Sequence, residues 1–329
     1  MLENNQIVFT NSNSINNSNK KINILFVGGG KRVSAAEAFI AAGKELDLDV
    51  KIFAYENGEN LPIESIATVI KGLSFTNSEV LSDIRKVIKE NKINIILPYH
   101  DFAVELLSLL QHEAFIPVSS KELCKIFNSK IKTNKYFKQK GLPVADFDGN
   151  IPAIAKPDNG SASKGLLYFF NQKELSIFLN TKESSTYEVQ RYIKGQEYSV
   201  DGYICINSKN TYFAVRKRLE VLGGEAVKSL TVNHPKILSV CKKLCKENGF
   251  KGAITIQFIE DENSKDIFLM EVNPRFGGAM LTTWGAGVPW FKIVLTDYLN
   301  LPFPKFIFKS NTLMVRSFRE HFFQFNNYE

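Results

Sequence analysis

FLMEVNPRFGG, Phe268 to Gly278, ends an apolar run with an acid and an amide two residues apart. It then breaks at Pro274 and sets Arg275 in a glycine-flanked loop. A strand alternates its faces. Ile267, Leu269, Glu271 and Asn273 are therefore expected on one face, and Phe268, Met270 and Val272 on the other, the latter reading as a dry core face. The polar end of the first face offers a carboxylate and an amide oxygen, donors that suit a hard cation. A strand running out into a polar turn would use the same residues, so the neighbouring segments have to decide.

Immediately upstream lies GAITIQFIED, Gly252 to Asp261, and the two segments read as a hairpin. If the connecting DENSKD loop is roughly symmetric, Gln257 falls opposite Glu271. Gln257 interrupts an otherwise apolar strand, and a buried amide without a partner costs about 1–3 kcal/mol. Gln257, Glu271 and Asn273 then converge, either as oxygen ligands to a cation or as a plain Gln–Glu hydrogen bond with no ion.

Further upstream, IPAIAKPDNGSASKGLLYFF reads as a strand, a Gly/Ser-rich loop and a second strand. The loop residues Gly160, Ser161, Ser163 and Gly165 offer backbone N–H groups and small side chains that can close over phosphates. Lys156 stands just before the loop, on the strand face opposite Ala153 and Ala155. Lys130 stands near the start of a helix expected over Ser120–Lys140, which Gly141 and Pro143 close. Two ammonium groups so placed could hold α- and β-phosphates as point charges. The segment Gln190, Arg191, Tyr192, Ile193 could pair its backbone with an adenine edge, and Glu197, beyond a break at Gly195, could accept from ribose hydroxyls. In VRKRLEV, Arg216 and Arg218 share a strand face, with Lys217 on the other. Either arginine could grip a carboxylate or the γ-phosphate through two donors; a solvated basic strand would read the same.

KINILFVGGG, RVSAAEAFIAAGKEL, DVKIFAYE, SEVLSDIRKVIKENK and INIILPYHD alternate strand and helix, which predicts a parallel, doubly wound sheet over about residues 21–118. The GGGKR turn, Gly28 to Arg32, matches neither G-x-G-x-x-G nor the P-loop pattern. Its N–H groups could hold an anion or touch a carboxylate substrate, and with Glu56 it leaves a nicotinamide site open as a weaker reading. Together with PYHD, Pro98 to Asp101, it lies where strand ends meet a cleft. The closing region is expected to be helical over VPWFKIVLTDYLN, and Trp284 either faces the cleft or packs.

The chain has 329 residues, too many for one small core, with 44% apolar and 23% charged residues, as in soluble globular proteins. It has no apolar run of membrane-spanning length and no basic-then-apolar leader, and the expected compartment is the cytoplasm. Residues 1–20 are rich in Asn and Ser and read as a mobile tail, with one short extended piece at Ile7–Phe9. The net charge of +7 is dispersed rather than gathered in one basic stripe, which argues against nucleic acid and suits polyanionic small molecules. Cys124, Cys205, Cys241 and Cys245 read as buried thiols of a reducing compartment. His100, His112, His234 and His321 lie too far apart in sequence to suggest a nucleophilic triad.

Five segments, SKIKTNKYFKQKGLPV, AKPDNGSASKG, VQRYIKGQEYSVD, ITIQFI and MEVNPRFGG, occur in an order and spacing that resemble the ATP-grasp superfamily, especially its carbamoyl-phosphate-synthase-like branch of carboxylate–amine ligases. The resemblance covers about residues 21–301. One departure is Ser129, where the family usually has an aspartate before the first lysine. The resemblance implies an α/β plus α+β fold: a pre-ATP-grasp domain over 21–118, an ATP-grasp domain over 119–308 with its small lobe near 145–195, and a C-terminal segment over 309–329. It implies that Lys130 and Lys156 bind the nucleotide phosphates under loop 160–165. The backbone of Arg191 and Ile193 would read adenine, and Glu197 would hold ribose. It also implies that Gln257, Glu271 and Asn273 carry two Mg²⁺ ions, for which Mn²⁺ could substitute, with Glu271 bridging. Arg275 would face the transferred phosphoryl group, with Lys156 and Arg216 completing the catalytic set. The implied reaction joins a carboxylate to an amine, or to a thiol, through an acyl phosphate, releasing ADP and phosphate. Alternatives on the same fold are a carbamoyl-phosphate-type carboxylate kinase and a non-catalytic nucleotide-binding protein. Expected partners are the small-molecule carboxylate and amine, with no nucleic acid and no membrane, and a homodimer left open.

Overall fold

The computed structural model describes residues 20–159, 164–246 and 249–324. The expected tail, apart from Lys20, and the residues Gly160, Ser161 and Ser163 lie outside the described residues. Among those described, the strands fall into three sheets.

In the first sheet, β1 (Lys20–Val27), β2 (Leu48–Glu56), β3 (Thr68–Lys71) and β4 (Ile95–Pro98) run parallel in the order β3-β2-β1-β4. Helix α1 (Val33–Lys44) lies on one face, with Ala36 and Phe39 packed in the same cluster as Ile22, Ile24 and Phe26. On the other face, α2 (Val80–Glu90) and α3 (Asp101–Leu107) meet Leu25 and Val27. Alternate β1 residues are thus buried on opposite sides, as expected of a strand covered on both faces.

The helix expected over Ser120–Lys140 is two helices, α4 (Lys121–Phe127) and α5 (Lys130–Gln139). The break has a local cause. Ser129 is extended, and its hydroxyl accepts from the Lys132 N–H as an N-cap. Ser129 Oγ in turn donates to Asp158 Oδ1 at 2.7 Å, and the Ile131 N–H donates to the same oxygen at 2.9 Å. A carboxylate from the segment that follows Pro157 therefore satisfies the first turn of α5, where the helix dipole favours it.

The small sheet contains β5 (Ala153–Pro157), β6 (Leu167–Phe169) and β7 (Tyr187–Arg191) in the order β6-β5-β7, backed by α6 (Gln172–Leu179). The large sheet has the order β12-β11-β8-β9-β10-β13. Its strands are β8 (Gly195–Ile204), β9 (Thr211–Leu222), β10 (Glu225–Val232), β11 (Gly252–Asp261), β12 (Ile267–Asn273) and β13 (Leu313–Val315). Helix α7 (Pro235–Leu244) covers one face through Ile237, Cys241 and Leu244. The short α8 (Leu281–Gly285) and α9 (Trp290–Leu299) complete the chain.

The opposite face of the large sheet is divided. Its far end, with Tyr203, Ala214 and Ala253, is covered by Trp290, Phe291 and Val294 of α9 and shares one apolar cluster with α1 and β1. Phe39 and Phe291 meet edge to face, with ring centroids 4.8 Å apart. The near end of the same face is left as the floor of a cleft. At Gly195, where the chain crosses from the small sheet to the large one, a Cβ would lie 1.9 Å from the Glu260 carbonyl oxygen, so no other residue fits.

Candidate active site

The hairpin register sets Gln257 opposite Glu271, with a β-bulge beside the pair. Phe258 pairs with Leu269, which leaves Met270 as the extra residue. Strict alternation across FLMEVN is therefore wrong. Ile267, Leu269 and Val272 all lie in the core, whereas Met270 and Glu271 both line the cleft. The bulge switches the phase of the strand so that the acid can leave an otherwise buried face. Gln257 Nε2 donates to Glu271 Oε1 at 3.3 Å, and Asn273 Nδ2 donates to the same oxygen. The three predicted ligands are thus gathered on one carboxylate.

Two adjoining cavities, of about 340 and 350 Å³, share a wall made by Lys130, Arg218, Gln257, Met270 and Glu271. The cavity on the small-sheet side is lined by Lys156, Tyr168, the Gln190–Ile193 segment, Glu197 and Ile259. Burial pushes the Lys156 ammonium below the usual lysine range, and the charge of Glu271 pulls against that shift. Arg191 lines this cavity and holds its guanidinium 5.3 Å from the Phe268 ring centroid. Glu197 is not free to serve a ligand with both oxygens, because its Oε2 accepts from Arg218 Nε at 2.9 Å.

The other cavity is walled by arginines held on carboxylates. Arg216 is 2% exposed, and its Nε and Nη2 donate to Asp201 at 2.9 and 3.1 Å. Arg275 Nε donates to Asp101 at 2.6 Å, joining the FLMEVNPRFGG loop to the PYHD segment. Arg32 of the GGGKR turn donates twice to Glu225, which also accepts from Arg316. Burial alone would raise the Glu225 carboxyl, but the two guanidiniums outweigh it and hold the group at about 2. At Gly278, a Cβ would lie 2.5 Å from that carboxyl group. Neither arginine of VRKRLEV is a solvated charge, and Lys217 lies on the other face over Tyr198. Tyr99 OH is buried in the same wall with no hydrogen-bond partner.

The remaining expectations sort by geometry. The Gly29 and Gly30 N–H groups of the GGGKR turn bond the chain's own Glu56, whose carboxyl is raised by burial, so this turn already holds an anion. Trp284 is 43% exposed, packs edge to face on Phe291 and does not line either cavity. His100 and His234 cap α3 and α7 through Nδ1. Sequence reasoning missed Ser199, Asp201, Thr283 and Glu225. The pattern Glu197, Ser199, Asp201 along β8 was a usable signal, since alternate polar residues in an apolar strand must face something.

A family model described as "ATP-grasp in the biosynthetic pathway with Ter operon" matches residues 183–320. Over 151 residues the chain is 29% identical to the carbamoyl phosphate synthase large chain of Clostridium botulinum (strain Alaska E43 / Type E3), covering 42% of this chain and 14% of that one. It is 27% identical over 154 residues to the arginine-specific large chain of Bacillus subtilis (strain 168), with 43% and 14% covered. The chain therefore spans a small part of the length of the curated relatives it matches. Among solved structures, N5-carboxyaminoimidazole synthetase from Staphylococcus aureus complexed with ADP superposes with a TM-score of 0.70 at 16% identity, covering 93% of this chain and 83% of that one. The biotin carboxylase domain of the Hydrogenobacter thermophilus 2-oxoglutarate carboxylase, bound to MgADP and bicarbonate, gives 0.71 at 16%, with 88% and 73% covered. This chain has the ATP-grasp fold. Another neighbour on that fold, the L-amino acid ligase from Bacillus licheniformis, gives a TM-score of 0.63 at 16% identity, with 86% and 74% covered. Among the described residues, no helix is long and apolar enough to cross a membrane.

Proposed function

We propose that the chain is an ATP-dependent carboxylate–amine ligase working through an acyl phosphate. The observation that carries this reading is the shared wall: Glu271 and Gln257 stand between a slot of nucleotide character and a cavity of oriented arginines. In this reading adenine lies along Gln190–Ile193, ribose near Glu197, and the phosphates on Lys130 and Lys156. The acid occupies the arginine-lined side.

Among the described residues, no group of three or more His, Cys, Asp or Glu side chains gathers as a self-sufficient metal cage. Mg²⁺ needs none, because it is held by one or two carboxylates together with the phosphates it accompanies. Glu271, with the amide oxygens that Gln257 and Asn273 would present on turning, fits that mode. Glu271 would be the carboxylate that holds Mg²⁺ in this mode. When bound, Mg²⁺ neutralises charge that develops on the phosphoryl group.

The substrate carboxylate oxygen attacks the γ-phosphorus while the bond to the β-phosphate oxygen breaks, and ADP leaves with that electron pair. The amine nitrogen then attacks the acyl carbon, the carbon–oxygen bond to phosphate breaks, and the amine loses a proton. Neither step needs a protein nucleophile; phosphoryl transfer needs positioning and positive charge. Arg275, oriented by Asp101, supplies charge at the transferred group.

Pairs of carboxylic acids and amines should be screened for phosphate release, and Glu271→Gln tested on the active pair. ADP formation should fall at least about 100-fold with the thermal transition still cooperative. Turnover that survives the change would overturn the assignment of Glu271. ADP formation that ignores the amine would favour a carboxylate kinase.

A further inference from the structure

Two buried donors without partners lie on neighbouring strands of the cleft floor. Ser199 on β8 is fully buried, and its Oγ makes no hydrogen bond. Arg216 on β9 is its register partner, and Nη1 of that guanidinium is likewise unpaired. The register continues from Ser199 to Gln257 and from Gln257 to Glu271. Glu271, Gln257, Ser199 and Arg216 therefore form one row across four strands, each about 4.8 Å from the next.

The guanidinium is fixed from behind. Asp201, which takes two of its donors, also accepts from Thr283 Oγ1 at 2.8 Å, and that hydroxyl accepts from Trp290 Nε1 at 2.9 Å. Asp201, Thr283 and Trp290 are all buried. A hydroxyl and one edge of a guanidinium, both pointing nowhere else, match a group with two acceptor oxygens and negative charge. A substrate carboxylate and the nucleotide γ-phosphate share that chemistry. The row places the donors on the far side of Gln257 from Glu271, and Lys156 lines the other cavity.

We propose that Ser199 Oγ and Arg216 Nη1 together receive the carboxylate of the acid substrate, with Asp201, Thr283 and Trp290 as positioning residues. This deepens the ligase reading and rests on it. The acid must then be slender at its carboxylate end, able to reach the floor between β8 and β9.

Trp284→Phe leaves Trp290 as the one tryptophan, since the chain has two. In that background, acetate is titrated with saturating MgADP while Trp290 emission and heat are followed. A saturable emission change is expected. Ser199→Ala should weaken acetate about 10-fold, and Ser199→Asp should abolish its binding while MgADP still binds. Arg216→Lys should weaken acetate by a similar factor; if that variant does not fold, the two Ser199 variants carry the test. Unchanged acetate affinity in both Ser199 variants, or no acetate binding by the parent, would overturn the proposal. Competition between acetate and a nonhydrolysable ATP analogue, absent with MgADP, would give the site to the γ-phosphate and overturn it too. A protein that binds acetate with this Ser199 dependence but binds no MgADP would support the subsite and sink the nucleotide reading instead.

Discussion

The two cavities that meet at Glu271 are built on different principles. On the small-sheet side Ile154, Tyr168, Ile193 and Ile259 line the walls together with Lys130, Lys156, Lys164 and Lys194, and burial pushes the Lys156 ammonium below the usual lysine range. On the other side Arg32, Arg216, Arg218 and Arg275 are each fixed on a carboxylate before any ligand arrives. The first can select by shape and by a charge that burial has made costly. The second presents charge already oriented, so a ligand need not reorganise it. Such a wall has a structural liability, because each arginine depends on an acid contributed by another segment.

Substitutions put that contrast to the test. The largest effect is expected on the arginine side. Asp201→Asn leaves Arg216 buried without its counter-charge, which should cost about 3–5 kcal/mol of stability; equilibrium urea denaturation measures it. A near-neutral result would mean that the pair is not structural and that the two cavities are more alike than drawn. Next comes Lys156→Met, which should weaken MgADP about 10- to 100-fold in calorimetry without lowering the melting temperature, since an awkwardly buried charge is removed. The smallest effect is a pH dependence at Glu225. Its folded-state value of about 2 lies below the 4.5 of a free glutamate. The resulting stabilisation is fully present above about pH 4.5 and is lost as pH falls toward 2. Glu225→Gln should flatten the acid limb of the stability curve between those values, and an unchanged limb would mean that the Arg32–Glu225–Arg316 contact is not formed in solution.

The lining of the small-sheet cavity follows the order of the chain, with Lys156, Gln190–Ile193 and Glu197 falling within one stretch. The hairpin register was legible in the sequence, since Gln257 is a polar interruption that needs a partner. Its phase was not, because a bulge at Met270 obeys no period and Met is at home on either face. The break at Ser129 was hidden for a related reason: the acid that caps α5 is Asp158, 29 residues away. Strand β10 escaped notice because Glu225, Lys228, Ser229 and Thr231 show no apolar alternation, although Ser229 and Thr231 are buried. The arginine wall was only half visible. Arg216 and Arg275 stood out, but Asp101, which orients Arg275, lies 174 residues away, and Asp201, on the strand next to Arg216, showed only in the alternate polar residues of β8.

The apolar cluster that runs from β1 and α1 through α9 to Tyr203 and Ala253 bears on engineering. Exchanging the first hundred residues for those of a relative would transplant one side of a jointly packed interior, not a detachable module. Chimeras cut between the two sheets should recover solubility only when α9 travels with its N-terminal neighbours.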